Sequence, residues 1–193
     1  MGMVKIGKPY IEYLHNGKAR LCAEIESNGD KSVLYYEVEK EYGQFLNDER
    51  CDAFVVGLVN SCMFDGNDIV CESVLTEQLL FQINMYYIPL ISDLFSNMRE
   101  IHIIADTTNK PVENLGKIGT GNSGGVDSTY TMLKYSKEEL KTFKLTHVLF
   151  TNISTNDYDD GRIRSLFDRD LPIKIDAANY LGLKSISVYT NLY

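Results

Sequence analysis

Apolar and polar positions alternate with a period of two along residues 19–26, and residues 33–38 are rich in β-branched and aromatic side chains. Between them Asn28-Gly29 supplies the positive φ angles of a tight turn, so the segment reads as an antiparallel hairpin. The run of Ala, Phe, Val and Leu over 52–63 is apolar on every side; periodicity alone does not separate a buried helix from a strand, and helix is the preferred reading. A short strand over 68–72 follows the turn at Asp65-Gly66-Asn67. Ser73 then offers an N-cap to an amphipathic helix running to residue 98, with Leu75, Leu79, Leu80, Ile83, Tyr86 and Tyr87 on one face and Pro89 splitting it. A strand over 99–105 closes this region, and 107–116, with Asn109, Pro111 and Asn114, is a connection.

From residue 117 the pattern changes to strand alternating with helix, the signature of a parallel α/β sheet. Strands are predicted at 117–120, 145–153 and 184–189, and helices at 127–135 and 162–181, the latter irregular around Pro172. Ser136 and Glu139 have capping-box spacing for a further helical piece. The expected fold class is thus α/β: a small α+β domain with an antiparallel hairpin over 1–106, then a nucleotide-binding sheet over 117–193. Three strands are about half of an ordinary doubly wound sheet. The expectation is therefore a sheet incomplete at its C-terminal end, with 184–189 as an exposed edge covered by further chain or by a homo-oligomer.

Composition narrows the function classes. The net charge of −8 disfavours nucleic acid and anionic membrane surfaces, which select clustered Lys and Arg, and favours a small-molecule substrate. No window has the roughly 18 apolar residues of a membrane span and the N-terminus lacks a signal-peptide core, so a soluble cytoplasmic protein is expected. Cys22, Cys51, Cys62 and Cys71 include no CxxC pair and read as reduced, mostly buried thiols. His15, His102 and His147 lie in unrelated segments and read as structural.

The chemistry is concentrated in Gly119-Thr-Gly-Asn-Ser-Gly-Gly-Val-Asp-Ser-Thr129, between a strand and a helix. A phosphate chain reaching a helix N-terminus meets unpaired N–H groups and the positive end of the dipole, and Gly124 and Gly125 let it come close. Ser123 and Ser128 add hydroxyls, and Thr129 is a further candidate at the helix start. An acid is out of place in an anion site unless Asp127 holds a magnesium ion bridging the phosphates; capping the helix is its plainer role. The five fixed positions of SGGxDS arise by chance in about one in several thousand chains of this size. Gly119, Gly121 and Gly124 also spell GxGxxG, but a dinucleotide site wants an acid at the end of the second strand, where Thr151-Asn152-Ile153 stand and Asp157 lies well beyond.

Ser123-Gly124-Gly125-Val126-Asp127-Ser128 resembles the PP-loop of the N-type ATP pyrophosphatase superfamily, over about residues 117–193. The resemblance implies a HUP-type sheet, ATP and Mg2+ as the bound groups, and adenylation of a substrate oxygen with release of pyrophosphate. Carried over are Ser123, Gly124, Gly125, Asp127 and Ser128. Residues 152–154, at the carboxyl end of the second strand, stand where such sheets meet the adenosine, with a plain polar loop as the other reading. The order of elements before residue 106 resembles the leader of uncharacterised relatives of the 7-cyano-7-deazaguanine synthases. An attached class II glutaminase is not supported, since such domains need a Cys where this chain has Gly2. A thiolation role is not supported either, because all four cysteines precede the loop region. Two other readings remain beside the adenylating enzyme: a non-catalytic nucleotide-binding module, and a dinucleotide-dependent oxidoreductase on the GxGxxG pattern alone.

Overall fold

The computed structural model describes residues 2–113, 116–153 and 160–192. Its central feature is a nine-stranded mixed sheet that runs through both halves of the chain. The first half contributes β1 (Gly2–Ile6), β2 (Tyr10–Tyr13), β3 (Lys18–Ser27), β4 (Asp30–Glu39), β5 (Asn67–Cys71) and β7 (Ile103–Ile104). The second contributes β9 (Gly119–Gly121), β10 (His147–Thr151) and β11 (Lys184–Thr190). The order is β7-β5-β1-β3-β4-β11-β10-β9, with β2 pairing β3. A separate two-stranded sheet joins β6 (Leu75–Thr76) to β8 (Thr107–Thr108).

The β3–β4 hairpin forms where the alternation predicts it, in register from Ser27↔Asp30 to Lys18↔Glu39, and Asn28 (φ 53°) and Gly29 (φ 88°) supply the turn. Leu21, Ala23 and Ile25 face the first core, while on the other side Arg20 Nε donates to the opposing Glu37 Oε2 at 2.7 Å. Helix α1 (Asp52–Asp65) is buried through Phe54, Val55, Val59, Cys62 and Met63, and ends in a left-handed Gly66. The buried residues form one stripe, and the polar stripe is missing because apolar Val56 and Phe64 stand on the exposed side.

The long helix expected from Ser73 begins later, at Glu77, because the Ser73 hydroxyl donates to the Glu49 carbonyl and Leu75–Thr76 pair with Thr107–Thr108 instead. It divides into α2 (Glu77–Gln82), a π-helical turn (Ile83–Tyr87) and α3 (Ile88–Leu94). Pro89 near the start of α3 has no N–H to return to the preceding turn, and the Ile88 N–H reaches back to the Ile83 carbonyl, which rotates the stripe and leaves Tyr86 exposed. Of the strand expected over 99–105, only Ile103–Ile104 pairs, and His102 between them and the turn is exposed.

In the second half β9, β10 and β11 are mutually parallel, and α4 (Val126–Ser136) and α5 (Asp160–Tyr180) are the crossovers. Met132 and Phe167 from these helices pack with Val148 and Phe150 in a second core. The capping-box helix after Ser136 does not form: the Ser136 hydroxyl donates to the Leu133 carbonyl inside α4, and the Glu138 carboxylate takes the Glu139 and Leu140 N–H groups. Helix α5 runs unbroken through Pro172.

The two halves meet where β11 lies antiparallel to β4, with Tyr189 opposite Glu37 and Thr190 opposite Tyr36. Asn191 extends this seam by side chain, its Oδ1 taking the Tyr35 N–H at 3.0 Å and its Nδ2 donating to the Val33 carbonyl at 2.8 Å. The expected edge at 184–189 is therefore an interior strand; among the described residues the sheet ends at β7 and β9. No helix among the described residues is long and apolar enough to cross a membrane.

Candidate nucleotide-binding loop

The loop grows directly out of edge strand β9. Gly119 lies close against the Leu149 side chain, and the Asn122 N–H donates to the Leu149 carbonyl at 3.0 Å, so the chain leaves the sheet at a defined height above β10. The Asn122 side chain then folds over the turn: Oδ1 accepts the Gly124 N–H at 2.6 Å and the Ser128 hydroxyl at 3.2 Å. This side chain mimics a backbone turn and forces Gly124 into the left-handed region at φ 88°. Gly125 follows in extended conformation and is the N-cap of α4, its carbonyl accepting from the Thr129 N–H and from the Ser128 hydroxyl, each at 3.0 Å. The Ser123 hydroxyl takes the Gly125 N–H at 3.3 Å and stands 3.3 Å from the Ser128 hydroxyl.

Three donors are left over. Among the described residues nothing accepts the N–H groups of Val126, Asp127 and Ser128, the first turn of an 11-residue helix with no side-chain cap. Those N–H groups and the positive end of the helix dipole point at the same space. The loop is open to solvent: residues 123–127 are exposed, and Val126 is 85% exposed although it is apolar. A cation stands beside it, because Lys174 of α5 brings its Cε to 3.7 Å from where a Cβ on Gly124 would be.

Asp127 projects from the first turn of α4, and its carboxylate makes no hydrogen bond or ion pair among the described residues. It fits the usual magnesium arrangement of one or two carboxylates completed by phosphate oxygens and water. No group of three or more His, Cys, Asp or Glu side chains that would hold a metal by itself occurs among the described residues.

Of the residues singled out in the sequence, Ser123, Gly124, Gly125, Asp127 and Ser128 come together around one space, whereas Thr129 contributes its N–H to the helix and its hydroxyl joins none of the loop's hydrogen bonds. Asn152, expected near an adenosine, has a different task. It is buried, its Nδ2 donates to the Thr190 carbonyl at 3.0 Å, and its Oδ1 takes the Thr190 N–H at 2.8 Å. Ile153 is exposed, and Ser154 and Asp157 lie outside the described residues. Two residues escaped the sequence reading. Asn122 was legible in principle, since an Asn two positions before a turn glycine is a known turn former; Lys174 comes from a helix some fifty residues on and left no local signal. No family model, curated protein or solved structure matches the chain.

Proposed function

We propose that the loop at residues 123–128 holds the phosphates of ATP, in a HUP-type half-sheet, for transfer of AMP to a substrate oxygen with release of pyrophosphate. The observation that carries this reading is the set of three free N–H groups at the start of α4, next to two serine hydroxyls and with the Lys174 side chain alongside Gly124. The loop's position supports it, because open α/β sheets bind ligands beyond the carboxyl ends of their parallel strands, and the loop is the carboxyl end of β9.

The roles of the chain's own groups follow from this geometry. The Val126, Asp127 and Ser128 N–H groups bind non-bridging phosphate oxygens, and Gly124 and Gly125 leave no side chain between the backbone and those oxygens. Ser123 and Ser128 exchange their mutual contact for phosphate, and Lys174 offsets charge that grows on the departing pyrophosphate. Asp127 would hold magnesium, which neutralises phosphate charge when bound. The dinucleotide reading is weakened because the residue at the end of the second strand is Asn152, with both its amide groups committed to Thr190.

Exchange of labelled pyrophosphate into ATP tests the enzyme reading against a purely binding module. The adenylating reading expects exchange that requires magnesium and is stimulated by an acceptor acid. ATP binding without exchange, across a broad panel of carboxylates and amides, would favour the non-catalytic module.

A further inference from the structure

Beyond the loop, a half-open cavity of about 410 Å³ lies along the seam between the two halves. Its walls are the face of the parallel sheet turned away from α4 and α5, through Leu149, Ile186 and Val188, and the aromatic side chains Tyr36, Tyr42 and Phe45 of β4 and the turn after it. One cation lines this apolar space. Arg50 is 7% exposed, donates from Nη1 to the Thr76 hydroxyl at 2.9 Å and from Nη2 to the Lys110 carbonyl, and keeps a buried Nε without a partner. No carboxylate lies within ion-pair distance of it among the described residues. Asp52 also lines the cavity, but its Oδ1 is taken by the Thr76 N–H and its Oδ2 by the Thr76 hydroxyl, so it reaches Arg50 only through that threonine.

A guanidinium held in an apolar cavity without a carboxylate is costly unless an anion arrives to meet it. A volume of this size with largely apolar walls and a few placed polar groups, here Arg50 and the Thr76-bound Asp52, is also the usual make-up of a small-molecule site. We propose that this cavity binds a small aromatic carboxylic acid, its ring system against Phe45, Ile186 and Val188 and its carboxylate on Arg50. A neighbouring cavity of about 810 Å³, sharing Phe45, Leu46, Asn47 and Val112, gives it an open approach lined by both signs of charge, Lys117 and Glu113 together with Lys110 paired to Glu49 at 3.7 Å. The site stands whether or not the loop holds ATP. The two are nonetheless adjacent, since Leu149 forms a wall of the cavity and its carbonyl anchors Asn122.

The test is ligand-observed saturation-transfer NMR on the full 193-residue chain, without nucleotide, using benzoate, indole-3-acetate and quinoline-2-carboxylate, each beside its own amide. At least one acid should bind about tenfold or more tighter than its amide. Arg50→Gln should abolish that preference, and Ile186→Trp, which fills the cavity from the sheet side, should abolish binding of acid and amide together. The same acids should bind unchanged to Asp127→Asn, which separates this site from the loop. If Arg50→Gln does not fold, the acid-to-amide ratio in the unaltered chain and the Ile186→Trp variant decide. Absence of binding by all three acids, equal binding of acid and amide, or binding that survives Ile186→Trp would overturn the proposal.

Discussion

Replacing Asn152 by Ala should destabilise the protein far more than its place in a loop suggests. The side chain is 2% exposed and extends the β10–β11 ladder beyond the last backbone pair, accepting the Thr190 N–H at 2.8 Å and donating to the Thr190 carbonyl at 3.0 Å. Thr190 is itself 1% exposed, so water does not readily replace what is removed. Each buried group stripped of a partner costs about 1–3 kcal/mol, giving about 2–6 kcal/mol for the two. That is a large part of the roughly 5–15 kcal/mol by which domains are stable. For a chain of this size each kcal/mol lowers the melting temperature by about 2–4 °C, so a fall of about 4–24 °C is expected. Thermal unfolding followed by circular dichroism reads it, with Ile153→Ala as the control because Ile153 is exposed. An Asn152→Ala variant that melts with the unaltered protein would refute the bridging role and return Asn152 to the nucleotide.

The two loop glycines should separate. Gly124→Ala forces a side chain into φ 88° at a cost of about 1–2 kcal/mol and lowers the nucleotide-free melting temperature, whereas Gly125→Ala, at φ −76°, leaves it unchanged; equal melting of the two would contradict the assigned strain. On the proposed reading both variants should also lose ATP affinity in calorimetry, because a Cβ on Gly124 would stand beside Lys174 and one on Gly125 beside the Ser123 hydroxyl, in the space given to the phosphates. His147 is held below its ordinary pKa by burial, then by Lys184 and Lys117, so the unfolded chain binds the extra proton first. Its contribution to stability is therefore present above the unfolded value of about 6.5 and lost as pH falls below it, levelling off beneath the folded pKa. Denaturant unfolding across that window should show a positive slope of stability with pH that shrinks in His147→Gln; identical slopes would contradict it.

Elements specified by local pattern were legible in advance. The β3–β4 hairpin follows from alternation around Asn28-Gly29, and β10, α5 and β11 follow from strong periodic runs. What failed was decided by distant partners. Strands β1 and β2 are short, and their places are set by pairing with β3 and β5. Ser73 has the chemistry of a cap, but Leu75–Thr76 gain more from pairing with Thr107–Thr108. The seam of Tyr189 and Thr190 on Glu37 and Tyr36 joins residues some 150 positions apart, which no local pattern encodes. The turn from Asn122 to Ser128 was recognisable as a strand-to-helix loop because the groups that shape it are consecutive in the sequence. Lys174 and the Arg50 cavity were not, since both depend on packing between segments.

The central claim rests on what binds at the start of α4. Isothermal titration of ATP into the full chain, with and without magnesium, for the unaltered protein and for Asp127→Asn, tests it most directly. The account predicts that magnesium strengthens ATP binding to the unaltered protein by about tenfold or more, and that Asp127→Asn removes most of that gain while leaving metal-free binding in place. ATP affinity that is absent in the unaltered protein, or indifferent to magnesium in both proteins, would contradict it.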